Sequence, residues 1–186
     1  MGNKSIVIIG GSGRIGKVLV ETCLKENLKV IVFDIIDKIQ WESLNINSQF
    51  YYQVDISNTK SIESAIIQLS KNRANIDCMI NISYPRTKNY GKSAMDISLK
   101  DFNENINLHL GGYFNSMITF SKYFLKQKFG NIINVASIQG ISAPKFKHYK
   151  GLDMVSPIEY TASKSAIISI SNYMAKLLSG TNIRVN

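Results

Sequence analysis

An apolar, β-branched run, Ser5-Ile6-Val7-Ile8-Ile9, passes without a gap into Gly10-Gly11-Ser12-Gly13-Arg14-Ile15-Gly16, and this passage restricts the fold more than any other in the chain. A strand without polar alternation is one buried on both faces. A helical pattern follows, with Ile15, Val18, Leu19, Thr22 and Cys23 at helical spacing, and Asn27 ends it before a second β-rich run at 29–33. The order is strand, glycine turn, helix, strand. Glycines at 10, 13 and 16 permit a tight turn and let backbone N–H groups approach a pyrophosphate, whose charge the positive end of the helix dipole favours. Asp34 closes the unit at the end of the second strand, about 20 residues on, where a carboxylate accepts hydrogen bonds from an adenosine ribose. A glycine-rich surface turn would require neither the flanking elements nor the terminal acid, so the combination points to a dinucleotide site.

Asp34 also bears on which dinucleotide binds. A carboxylate there pairs with the free 2'-hydroxyl of NAD and repels the 2'-phosphate of NADP. Arg14, inside the turn, offers a guanidinium to a 2'-phosphate or to the pyrophosphate, or stands in solvent at the helix start. NAD is therefore the expected cofactor and NADP the less favoured one.

The chain has 186 residues, 45% of them hydrophobic, enough for one domain with a buried core. Its start, Met-Gly-Asn-Lys, lacks the apolar segment of a secretory signal, and no apolar stretch reaches the roughly 20 residues that cross a bilayer. A cytoplasmic protein without membrane association is expected. Two cysteines, Cys23 and Cys78, with no CxxC pattern suit packing in a reducing compartment. His109 and His148 stand apart, so no metal site is expected. The balance of 22 basic and 13 acidic residues leaves a net charge of +9. Most basic residues are scattered, and the local concentration at Lys145, Lys147, His148 and Lys150 has no nucleic-acid motif beside it, so a small anionic substrate is the better match.

The alternation continues with strands at 50–54 and 78–81, an amphipathic helix at 60–71, a long helical region at 99–125 and a strand at 131–136. Asp55 follows the third strand and Ser137 the fifth. In open parallel sheets ligands bind beyond the carboxyl ends of the strands, so Gly10, Asp34, Asp55, Asn81 and Ser137 should border one crevice. Tyr160 and Lys164 then fall four apart at a helix start and should project from one face. A phenol is a poor base at neutral pH, but an ammonium one turn away favours the phenolate and brings general acid–base chemistry within reach. Alone this spacing is weak, since such pairs are routine on solvated helices.

Taken together, the glycine turn, Asp34, Val54-Asp55-Ile56, Asn107, Ser137, Tyr160 and Lys164 come in the order of the short-chain dehydrogenase/reductase family, which the chain resembles over essentially its whole length. The resemblance implies an α/β fold, a Rossmann-type doubly wound parallel sheet flanked by helices, and hydride transfer between a nicotinamide and a hydroxyl or carbonyl. It implies Tyr160 as acid/base, Ser137 as the group that orients the substrate oxygen, Lys164 as the partner of Tyr160 and holder of the nicotinamide ribose, and Asn107 as support for a proton-relay water. It places Asp55 by the adenine, with Ile56 donating from its backbone, and puts the cofactor along Gly10, Ser12, Gly13, Arg14, Ile15, Gly16, Asp34, Asp55, Ile56 and Asn81. It also implies a homodimer or homotetramer built on helices equivalent to 99–125 and 160–179, and further chain beyond 182–186, which resembles the strand before the family's C-terminal segment.

The chain departs from the smaller family members in three places. Its glycines read G-x-x-G-x-x-G, as in extended members that modify sugar nucleotides, with Arg14 where the smaller members carry glycine. Asn81-Ile82-Ser83-Tyr84 replaces the usual N-N-A-G. Ser137 and Tyr160 are farther apart than usual, and the intervening insertion carries the lysine cluster expected to rim the substrate. The insertion and Asn107 to Gly112 are similar to dehydrogenases of bacterial flagellin and surface-glycan modification, which implies a sugar or sugar-phosphate substrate. A sugar-nucleotide epimerase or dehydratase, and a nonenzymatic NAD sensor, are the competing readings.

Overall fold

A computed structural model describes residues 4–46, 50–71 and 75–186; Met1–Asn3, part of the start read above, lie outside them. Six strands form one parallel sheet: β1 (Ser5–Ile9), β2 (Lys29–Asp34), β3 (Phe50–Gln53), β4 (Cys78–Asn81), β5 (Gly130–Asn134) and β6 (Ile183–Val185), in the order β3-β2-β1-β4-β5-β6. The connecting helices are α1 (Arg14–Lys25), α2 (Lys38–Ser43), α3 (Thr59–Lys71), α4 (Leu99–Gln127) and α5 (Ile158–Leu177). The order reverses between β1 and β4, which opens the crevice expected of this topology beyond their carboxyl ends.

The unbroken apolar run of β1 divides between two cores. Val7 and Ile9 join Phe33, Ile62, Met117, Phe120, Phe124 and Met174 on one side, and Ile8 joins Val20, Val30, Val32 and Trp41 on the other. Each fully buried phenylalanine contributes about 2 kcal/mol of apolar burial. The helix after the glycine turn is in place, but its buried stripe is Gly16, Val20 and Cys23, while Ile15 is 69% exposed and Val18 also faces out. Gly16 sets that phase: a Cβ there would lie 2.8 Å from the Gly11 Cα, so the helix start rests on the turn itself. Asn27, in the left-handed region at φ 58°, ends α1, and the Leu28 amide returns to the Cys23 carbonyl.

Several elements differ from the sequence expectation: β3 ends at Gln53, before Val54, and α4 runs on to Gln127. Short α2 arises from an Asp37–Gln40 capping box and buries Trp41 against Tyr51, their rings stacked at 5.0 Å. β5 stops at Asn134, two residues before the expected end, and the Val135 carbonyl turns to a side chain, as described below. Cys23 and Cys78 are both free, and burial holds both thiols above their ordinary pKa, Cys78 at about 11. Among the described residues no helix is long and apolar enough to cross a membrane.

Candidate active site

The glycine turn is held from two directions. Gly10 lies at φ 89°, where only glycine is unstrained, and a Cβ on it would come within 2.8 Å of the Ser83 Cα, so the chain leaving β4 passes directly over the turn. From the other side, the Ser12 amide donates to Asp34 Oδ2 at 2.8 Å, and the Ile35 amide donates to Asp34 Oδ1 at 2.8 Å. Asp34 thus pins the turn to the end of β2, a role the sequence did not disclose. Each carboxylate oxygen retains a lone-pair direction for a ribose hydroxyl. Gly13 caps α1 with no side-chain bond, and the first turn of α1 holds no acid, which leaves the amides of Arg14, Ile15 and Gly16 at the positive helix end. This cradle fits a pyrophosphate.

Asp55 and Asn81 border the same edge. The Asp55 Oδ1 accepts from the Ser57 amide at 2.8 Å and the Ser57 hydroxyl at 2.7 Å, bracing the entry to α3. Ile56 is buried, and its side chain fills the space that a Cβ on Gly112 would occupy. Asn81 is fully buried, with Oδ1 accepting from the Ser83 amide and hydroxyl at 3.1 and 2.6 Å.

Beyond β5, the turn that carries Ser137 packs on the helix that carries Tyr160 and Lys164. Ser137 begins a short 3-10 turn, Ile138–Gly140, and its Oγ accepts from the Gln139 amide at 3.2 Å. That turn lies on α5: a Cβ on Gly140 would meet the Lys164 carbonyl oxygen at 2.9 Å, and Ser165 Oγ donates to the Gly140 carbonyl at 2.8 Å. Lys164, only 4% exposed, donates to the Val135 carbonyl at 2.7 Å and lies 5.7 Å from the centroid of the Tyr160 ring. Burial lowers the Lys164 pKa to about 8, so the ammonium still prevails at neutral pH.

Asn107 does not join this group. It stands on the exposed side of α4, two residues from the buried face that carries Asn105, His109, Gly112 and Tyr113. The side chain that faces Tyr160 is His109, 3% exposed, with ring centroids 6.3 Å apart. Burial, and secondarily the Lys164 charge, push the imidazole down to about pKa 3, so it is neutral; its Nε2 is buried without a hydrogen-bond partner. Tyr84 completes the wall, edge-on to Tyr160 at 5.3 Å and to His109 at 5.1 Å. Burial first, and then the neighbouring Tyr160, raise the Tyr84 pKa.

Gln139 is a further residue that no motif marked. Its Oε1 accepts from Ser156 Oγ at 2.9 Å and Thr161 Oγ1 at 3.3 Å, and its Nε2 donates to the Tyr149 hydroxyl at 3.4 Å. One amide therefore ties Ser137's turn to the start of α5 and to the insertion. That insertion folds as a 3-10 turn, Phe146–Tyr149, and Lys145, Lys147, His148 and Lys150 all stand exposed on it. A separate groove between α3 and α4, lined by Ile66, Ile67, Thr119 and Tyr123, contains none of these residues.

The parallel sheet thus carries the glycine turn at its switch point and Ser137, Tyr160 and Lys164 beyond β5. The family model for short chain dehydrogenases matches residues 4–186, and the chain belongs to that family and is an oxidoreductase of its class. It is 39% identical over 191 residues to a post-translational flagellin modification protein A of Campylobacter coli, covering 99% of this chain and 75% of that protein. It is 26% identical over 186 residues to an NAD-dependent glycerol dehydrogenase of Listeria innocua, covering 99% and 68%. Among solved structures, a short chain dehydrogenase of Leptospira borgpetersenii with bound NAD+ superposes with a TM-score of 0.82 at 31% identity, covering all of this chain and 70% of that one.

Proposed function

We propose that this protein is an NAD-dependent dehydrogenase or reductase in which Tyr160 exchanges a proton with the hydroxyl or carbonyl oxygen of a small anionic substrate, a sugar or sugar phosphate. The observation that carries the reading is the buried Lys164 ammonium, fixed to the end of β5 one helical turn from Tyr160 and beside Ser137's turn. When bound, the nicotinamide supplies or accepts the hydride. In oxidation Tyr160 Oη takes the hydroxyl proton of the substrate, and in reduction it returns one. Because Ser137 Oγ already accepts from the Gln139 amide, its own hydrogen is free to donate to the substrate oxygen and hold it in place. Tyr84 and His109 pack against the ring of Tyr160.

Asp34 supports NAD over NADP. Its carboxylate is buried against the turn, where a 2'-phosphate would have to displace or neutralise it. The expected KM for NAD lies at least about tenfold below that for NADP. A preference for NADP would reverse this assignment.

The exposed lysines of the insertion, anchored through Tyr149 to Gln139, support an anionic substrate, and the flagellin-modification name of the Campylobacter relative supports a sugar. Replacing Lys145, Lys147 and Lys150 together by Ala should raise the substrate KM by about 10- to 100-fold while leaving that for NAD within about twofold. Equal effects on both would discard the substrate class. The reaction itself is tested by incubating the protein with NAD and a panel of phosphorylated amino-sugars and keto-sugars while following NADH absorbance. Net NADH change supports a dehydrogenase; conversion of substrate with no net change would favour an epimerase or dehydratase, and inertness toward the whole panel a sensor.

A further inference from the structure

We infer that Tyr113, on α4, is a positioning residue whose hydroxyl and ring hold the Lys164 ammonium at the carboxyl end of β5. The inference deepens the proposed role of Lys164 and rests on it. Tyr113 is 1% exposed, and its hydroxyl lies 3.5 Å from Lys164 Nζ, from which it accepts. The same oxygen has a single hydrogen to give and three carbonyls in reach: Asn81 at 3.1 Å, Ser83 at 3.1 Å and Val135 at 3.3 Å. Its ring centroid lies 4.9 Å from Nζ, within cation–π range. The Val135 carbonyl is thus shared, receiving Lys164 Nζ at 2.7 Å while standing in reach of the Tyr113 hydroxyl.

This places one phenol at the junction of three pieces of the site. It bridges the end of β4, the chain leaving β4 and the end of β5, and it meets the ammonium there. Gly112 makes the approach possible, because a Cβ on it would come within 2.6 Å of Ile56 Cδ1 and hold α4 off the sheet. Packing alone would be satisfied by phenylalanine. The hydroxyl is what distinguishes a group that solvates a buried cation from one that fills space. The titratable groups that face Lys164 are Tyr160 from its own helix and Tyr113 and His109 from α4; β5 presents only backbone carbonyl oxygen.

The test is Tyr113→Phe, read on protein labelled with carbon-13 at the lysine ε position, with Lys164→Arg used to assign the signal. Losing an acceptor for the charged form should move the Lys164 titration midpoint down from about 8 by roughly half a unit to one unit. NAD affinity at neutral pH should fall about three- to tenfold. A midpoint that stays put or rises overturns the inference. Should the variant fail to fold, the wild-type protein decides it: Lys164 ε-methylene protons should show nuclear Overhauser contacts to the Tyr113 ring, and their absence overturns the inference equally. The lysine titration requires no cofactor, so a wild-type protein that bound no NAD would count against the cofactor reading alone.

Discussion

Replacing Tyr160 by Phe is expected to lower kcat by about 100- to 10,000-fold while changing NAD affinity by less than about threefold. The ring would keep its contacts with Tyr84 and His109, at 5.3 and 6.3 Å, so the fold around α5 has no reason to change. What disappears is the single oxygen that exchanges a proton with substrate. The loss should therefore fall on the chemical step rather than on binding, in NADH-monitored turnover with any substrate the wild type accepts. A Phe variant within tenfold of wild-type kcat would move the acid/base function to another group.

Lys164→Met should separate stability from activity. The Lys164 pKa of about 8 in the folded protein lies below the 10.5 of a free lysine, with burial as the cause. Between those values the unfolded chain binds more protons, so stability rises as pH climbs through this window, and the cost of burying the ammonium is fully present below about pH 8. That cost is of order 3 kcal/mol. Methionine avoids it but leaves the Val135 carbonyl and Tyr113 hydroxyl with one partner fewer, so a net gain of roughly 1–2 kcal/mol at pH 7 is expected. The gain should shrink as pH approaches 10.5, and turnover should fall at least about 100-fold at every pH. Urea unfolding at pH 7 and pH 10 reads the first effect; a variant less stable than wild type at pH 7 would contradict this account of the site.

The parts of the molecule that were legible in the sequence are those whose signal is local. The apolar run of β1 announces burial on both faces because Val7 and Ile9 enter one core and Ile8 the other, and the glycine turn follows it with no intervening residue. Asp34 and Ser137 could be placed at the carboxyl edge of the sheet because Asp34 ends β2 and Ser137 follows soon after β5. Helical spacing served for Tyr160 and Lys164, which lie one turn apart on α5, but not where a buried helix face is only partly apolar. The inner face of α4 carries Asn105, His109, Gly112 and Ser116 among its apolar residues, so hydrophobicity does not mark which side is buried; Asn107, carried over from the family resemblance, falls on the exposed side, and His109 was passed over. Ile15 and Val18 were misplaced on α1 for a related reason, since the close approach of Gly16 to the turn, and not the largest apolar side chains, sets the phase there.

Other features were silent because they exist only in three dimensions. The bond from the Ser12 amide to Asp34 joins positions 22 residues apart, and the bonds of Gln139 reach 10 to 22 residues along the chain. Tyr84 lies in irregular chain with no periodicity to read, yet it packs edge-on against Tyr160. Short α2 has one buried residue, Trp41, and a capping box that a sequence scan passes easily.

A crystal structure of the protein soaked with NAD decides whether the glycine turn, Asp34, Ser137, Tyr160 and Lys164 form one site. The pyrophosphate should lie along Gly10 to Gly16, a ribose hydroxyl on Asp34, and the nicotinamide ribose within hydrogen-bond distance of Lys164 Nζ, with the Ser137 and Tyr160 oxygens facing one cavity beside it. NAD bound elsewhere, or those two oxygens turned to opposite sides of α5, would contradict a single site.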